Sequence, residues 1–195
     1  AVRTMLGDGA YRFESDPGES DYLYRREDLA GMLGRRMSRK RNHVKRFQQA
    51  NPDWRVDPFR PELAGEWRAF VDEWCAQNHC SQHPVLAFEV DALRRWIGWY
   101  EQLPMQAFAL RVAERIVGVS VGEMMTPDTF VVHYEKALRQ FDGAYPMLTW
   151  LAARDAPPES LMINREQDMN EPGLRTSKES FFPDHLEPAF TAIPR

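Results

Sequence analysis

No run of apolar residues in this sequence is long enough to cross a bilayer, and the opening residues, which begin at Ala1, carry no secretory pattern. Cysteine is scarce. Cys75 and Cys80 are the only two, too few for a disulfide framework, so a reducing, cytoplasmic setting is the expectation. Excess positive charge is lacking as well. The formal net charge is −4, which excludes a generic binder of polyanions. Internal repeats and low-complexity tracts are absent, which excludes solenoids and linkers. The shortage of positive charge is nevertheless uneven: Arg35 to Arg46 holds seven Lys or Arg residues in twelve positions and no acid, leaving the rest of the chain at −11.

What is present fits one domain with a full core. Residues 1–20 are rich in Gly, Asp, Glu and Ser and read as a tail or an edge strand. Residues 21–195 form the domain, with a helical part over 21–104 and a sheet-containing part over 105–195. A helix is expected from Asp28 to about Gln49, with Gly34 bending or breaking it and Lys40 on its apolar face. Others start at Pro61 and near Val85, the last closed by Pro104. Gln106–Ala113, Ile116–Met124 and Thr129–Lys136 alternate as three strands of a meander. A helix over Pro146–Arg154 leads to a strand at Leu161–Ile163, a polar helix near Leu174–Ser180 and a last strand near Ala189–Ile193. The fold class is α/β (α+β), a mixed sheet with an antiparallel meander followed by a βαβ-type crossover.

The crossover matters most. It lets Leu161–Ile163 pair in parallel with Thr129–Lys136, so two strands end together where open sheets bind ligands. One strand brings His133, Glu135 and Lys136, and the other brings Asn164, Arg165 and Glu166, with Asp168 just beyond. With a hairpin turn of even length, His133 and Glu135 rise beside Gly118, Ser120 and Gly122, whose small size leaves room for a ligand. Glu123 ends an apolar face and is either wet or buried and paired. A solvated loop with its own salt bridges explains the charges after Ile163 equally well, and a histidine alone is more often structural than catalytic.

Cys75, His79, Cys80 and His83 miss the usual zinc spacings, so no metal is expected. Gln140-Phe-Asp-Gly143-Ala-Tyr145 precedes a helix and reads either as an anion loop or as a turn with Asp142 as cap. The basic segment reads as a solvated helix or as a cradle for a phosphate-rich partner, RNA or an anionic head group.

Taken in order, Tyr22-Leu-Tyr24, Arg39-Lys40-Arg41-Asn42-His43, Gly118-Val-Ser-Val-Gly122-Glu123, His133-Tyr-Glu135-Lys136-Ala137, Gly143-Ala-Tyr145, Asn164-Arg165-Glu166-Gln-Asp168, Gly173-Leu-Arg175 and Lys178 resemble the phosphatidylglycerol lysyltransferase C-terminal-like domain, also called DUF2156. The resemblance runs from about Asp21 to Ile193 and implies a GNAT-type acyltransferase fold. Members usually carry two such units in tandem, and this chain resembles the second, so an upstream GNAT-like half or a partner chain is expected to complete the cleft. The best-known relatives use aminoacyl-tRNA as donor and an amine, hydroxyl or lipid head group as acceptor. Ordinary members of the wider fold use acyl-CoA, but Tyr145 stands where their pyrophosphate loop has a small residue, so CoA is the lesser expectation and no other cofactor is implied.

Under this resemblance Glu166 or His133 is the base and Asn164 or Arg165 the oxyanion donor. Glu123, Glu135 and Asp168 bind the cationic amine, with Lys136, Tyr145 and Lys178 beside the substrate. Arg36, Arg39, Lys40, Arg41 and Asn42 meet phosphate. The alternatives are an acyl-CoA-dependent N-acyltransferase and a catalytically silent module that binds RNA or a protein.

Overall fold

Alternation from Gln106 to Ala137 builds the middle of the molecule. The computed structural model describes residues 10–195, and there this stretch forms three adjacent strands of a seven-stranded sheet. In chain order the elements are β1 (Tyr11–Glu14), β2 (Asp21–Arg25), α1 (Arg26–Gly31), α2 (Ser38–Ala50), β3 (Trp54–Pro58), α3 (Ala64–Gln77), α4 (Pro84–Trp99), β4 (Gln106–Val112), β5 (Arg115–Thr126), β6 (Thr129–Ala137), α5 (Ala144–Asp155), β7 (Met162–Asn164), α6 (Pro172–Glu179), β8 (His185–Glu187) and β9 (Thr191–Pro194). The strand order is β3-β4-β5-β6-β7-β2-β8. Every neighbouring pair is antiparallel except β6 and β7, which run in parallel through the α5 crossover. The mixed sheet, meander and crossover agree with the sequence pattern.

The region expected to be helical, 21–104, also supplies strands to both halves of the sheet. β3 extends the meander, while β2 lies between β7 and β8. β2 is five residues long with charged ends, so its alternating buried Tyr22 and Tyr24 give only a short signal. The last strand does form, but it pairs with β1 in a separate two-stranded ribbon. Part of the expected N-terminal tail, residues 1–9, lies outside the described residues.

Helices cover both faces of the sheet. α1, α2 and α5 pack on one side, where Leu29, Phe47, Leu148 and Leu151 join Tyr24 and Ile163 in one core. α3 and α4 pack on the other, where Trp67, Phe70, Leu93 and Trp96 meet Val119 and Val121. Burial of each such side chain contributes about 1.5–3 kcal/mol, which fixes the sheet between its two helical layers.

The helix expected over 28–49 is divided in two. Met32 and Gly34 adopt left-handed backbone, with φ of 44° and 78°. The Arg41 guanidinium donates to the carbonyls of Met32 and Gly34 and so holds the break. Cys75 and Cys80, expected as free thiols, are joined as a disulfide at the end of α3; their five-residue separation brings the Cα atoms to 5.2 Å.

Gly143 sets α5 against α2. Its φ is 83°, and a Cβ there would lie 2.5 Å from the His43 carbonyl oxygen and 3.1 Å from Phe47 Cβ. Asp142 does not cap the helix; it lies 3.5 Å from Arg46 and 3.8 Å from His43. Gly143→Ala therefore combines left-handed strain with a clash against backbone. Urea unfolding is expected to show a loss of about 2–4 kcal/mol.

Candidate functional site

β6 and β7 pair only from Thr129 to Val131 and from Met162 to Asn164. β6 then continues to Ala137 while the other chain turns away, so the two strands diverge at their carboxyl ends. Asn164 governs the turn. It is 3% exposed, its amide donates to Asp21 Oδ2 at 2.7 Å, and its carbonyl oxygen accepts the Glu166 backbone N–H at 2.7 Å. Such side-chain turns compete with regular structure. Here the turn places Glu166 at a φ of 54°, and Arg165 and Glu166 part, the first toward Glu135 and the crossover helix and the second toward His133. Asn164 is thus a builder of the loop, with its amide already engaged, and not the free oxyanion donor expected from sequence.

On the α5 side, Arg165 Nη2 donates to Glu135 Oε2 at 2.6 Å across the divergence. The side chains are 12% and 8% exposed. Thr149 Oγ1 donates to the same carboxylate oxygen at 3.2 Å. The guanidinium lies 5.0 Å from the Phe181 ring centroid and 5.8 Å from that of Tyr24. Arg165 Nη1 and Glu135 Oε1 are buried and have no hydrogen-bond partner among the described residues. Lys40 reaches this group from α2. It finds no acid among the described residues; its ammonium sits 4.0 Å from the Phe181 ring centroid instead. Burial, then the nearby Arg165 charge, pull its pKa down to about 8.

His133 is on the α3 and α4 side. Its Nδ1 lies 2.7 Å from Glu166 Oε1 and its Nε2 3.2 Å from Glu123 Oε1. Its side chain is 25% exposed and that of Glu166 37%. The hydrogen bond to Glu166 is the main cause that raises the histidine pKa above its ordinary value, against the cost of burial. Glu123 is therefore paired and partly buried.

This arrangement corrects the expected shelf. The two-residue turn at Pro127-Asp128 is even, and Ser120 does oppose Glu135. The register shifts twice, however, once near the turn and once between Val121 and Gly122, leaving His133 without an opposite residue. The second bulge turns His133 to the side of Glu123, away from Glu135. Gly122 was the available signal: a Cβ there would lie 2.3 Å from the Val131 carbonyl oxygen.

Other expected substrate contacts are occupied by the protein itself. Asp168 accepts from Arg175 Nε and Nη2 at 2.7 and 3.0 Å and from the Tyr22 hydroxyl at 2.7 Å. The Arg175 bonds, with help from Tyr22, hold its pKa down to about 2. Lys178 Nζ donates to the carbonyls of Arg165, Glu166 and Gln167 and clamps the loop from below. Burial lowers its pKa to about 8. Lys136 is buried on the α3 and α4 side, 2.7 Å from Glu89 and over the Trp74 ring. Tyr145 accepts from Trp74 Nε1 at 3.1 Å. Each of these four side chains makes an internal contact in the fold, while Tyr145 remains 42% exposed.

Among the basic residues, Arg41 holds the α1–α2 break and Arg36 lies 5.1 Å from the Phe182 ring centroid, while Arg39 and Asn42 are exposed. Tyr22 and Arg175, which entered only as carriers of the resemblance, and Thr149 and Phe181, which were not singled out, complete the site; their roles depend on contacts between distant segments. Among the described residues, no group of three or more His, Cys, Asp or Glu side chains is arranged to hold a metal ion, and no helix is long and apolar enough to cross a membrane.

Several solved structures share this architecture. A conserved protein of unknown function from Bacteroides thetaiotaomicron VPI-5482 is 33% identical, with a TM-score of 0.93 over 98% of this chain and 64% of its own. The C-terminal domain (DUF2156) of a protein provisionally named lysylphosphatidylglycerol synthetase, from Agrobacterium fabrum, is 15% identical, with a TM-score of 0.68 over 98% and 64%. At that identity the likeness concerns the fold alone. The chain thus spans 64% of the length of both structures. No curated protein matches. The model of the family described as phosphatidylglycerol lysyltransferase, C-terminal, matches residues 2–193, and the chain belongs to that family.

Proposed function

We propose that this chain forms a GNAT-like aminoacyl transferase centre, moving an aminoacyl group from aminoacyl-tRNA to an amine or hydroxyl acceptor such as a lipid head group. The observation that carries the reading is His133: partly exposed, at the carboxyl end of a parallel strand pair, with a carboxylate at each ring nitrogen. Transfer from an ester needs a base for the attacking group and an acid for the leaving oxygen. Glu166 takes the proton of the acceptor, and the charged His133 gives a proton to the ribose oxygen. Exchange with solvent at these two partly exposed groups then returns the first proton from Glu166 to the ring nitrogen that gave one up. The carbonyl-to-ribose bond breaks, the bond to the acceptor forms, and one proton has moved from acceptor to ribose.

Where β6 and β7 part, the gap is spanned by the buried Arg165–Glu135 pair. Arg165 Nη1 and Glu135 Oε1 lie on the other side of the sheet from His133, buried and without a hydrogen-bond partner among the described residues; to receive the oxyanion and the aminoacyl ammonium they would have to be uncovered by a further parting of the two strands on substrate binding. A companion unit or partner chain forms the other wall of the cleft in this reading.

The packing of Gly143 argues against acyl-CoA as the donor. The space beside that glycine is filled by His43 and Phe47, so its lack of a side chain serves helix packing where a pyrophosphate loop would need open backbone. The test is a transfer assay on the full polypeptide with radiolabelled aminoacyl-tRNA and lipid or small amine acceptors. Label in the acceptor is the expected result. No transfer, together with a melting temperature raised by acetyl-CoA, would replace this reading with the CoA-dependent one.

A further inference from the structure

The seven basic residues between Arg35 and Arg46 have different tasks. Arg41 holds the α1–α2 break, while Arg36 and Lys40 lie over the rings of Phe182 and Phe181. Arg39, Lys45 and Arg46 remain exposed along α2. Two open hollows adjoin there and share Arg46. One, of about 470 Å³, is lined by Ser38, Arg39, Asn42, His43 and Arg46. The second, of about 670 Å³, continues past Gln49 and Asn51 to Gln140 and Asp142.

We propose that this face of α2 grips the sugar–phosphate backbone of an RNA, without reading its sequence. Arg39 and Arg46 stand seven positions apart, two turns along one helix face, and bracket hydrogen-bonding Ser38, Asn42 and His43. Guanidinium groups with such neighbours suit phosphate and ribose oxygens. The first hollow contains no carboxylate and no apolar side chain. Asp142, at the border of the second, already faces Arg46 and His43 and marks where the anion track ends. A bilayer is the poorer fit: an interfacial helix inserts an apolar face into a flat surface, whereas the first hollow is lined by polar residues alone, and Ala50 and Phe141 enter only in the second. The choice of RNA over another polyanion rests on the proposed transferase function.

The test is anisotropy of labelled, uncharged tRNA on the full polypeptide across a salt series. Arg39→Gln/Arg46→Gln is expected to weaken binding about ten-fold at low salt and to reduce the salt slope by roughly 1 to 2. Arg95→Gln, on the opposite helical layer and paired with Asp91, should change neither. Equal slopes in the double variant and the parent would overturn the proposal. So would loss of binding to anionic vesicles, or to polyglutamate, with tRNA binding unchanged. The two readings separate cleanly. Tight, salt-sensitive tRNA binding without aminoacyl transfer removes the transferase and keeps the RNA face; transfer with an unchanged KM for charged tRNA in the double variant removes the RNA face and keeps the transferase.

Discussion

Glu166→Gln is expected to lower aminoacyl transfer by about 10²- to 10⁴-fold while the protein remains folded. The substitution keeps the size of the side chain and an oxygen that can accept from the His133 ring, 2.7 Å away in the parent. It removes the negative charge and the basic oxygen. Because Glu166 is the main cause of the raised His133 pKa, the variant's histidine should titrate at lower pH. Any residual transfer should therefore lose its acid-dependent limb at a lower pH than the parent.

The same linkage applies to stability. A histidine whose folded pKa is raised adds stability that is complete below its unfolded value, near 6.5, and is lost as pH rises through the folded value. Urea midpoints should thus fall across that window in the parent and less so in Glu166→Gln. A variant with full transfer would remove Glu166 from the proton path. A variant with reduced transfer but an unmoved pH profile would make the Glu166–His133 contact structural.

Residues in periodic segments were legible. The meander, the α5 crossover and the parallel meeting of β6 with β7 follow from alternation and from the rule that crossovers bring strands side by side. That rule also brought Glu135 and Arg165 to one place before any distance was known. Partnerships between distant segments were not legible. Nothing near Asp168 in sequence announces that Tyr22 will satisfy it, or that Lys178 will turn its ammonium to three carbonyls. A polar residue looks the same in a string of letters whether it awaits a ligand or already has its bonds. The bulge at His133 fell between these cases: alternation fails there by one residue, and only the crowding at Gly122 signals it. β8, exposed along its whole length, has no apolar rhythm to detect.

Arg165→Met is the substitution expected to affect stability most, by about 3–5 kcal/mol in denaturant unfolding. It strands Glu135 in a site where the carboxylate is 8% exposed and has only Thr149 as a further polar contact. The cost is that of an unpaired buried charge, so it should largely disappear in Glu135→Leu/Arg165→Met, whose apolar pair can pack against Tyr24 and Phe181. The cycle also separates stability from chemistry. If the ion pair only braces the gap between β6 and β7, the double variant should be both stable and active. If its unpaired Nη1 and Oε1 receive the oxyanion and the ammonium, the double variant should be stable and inactive. Arg165→Lys adds a third reading: it keeps one charge for Glu135 but not the planar fork, so stability should partly return while transfer stays low. Recovery of transfer in step with stability across all three variants would reduce the pair to scaffold and leave His133 with its two carboxylates as the whole of the proposed chemistry.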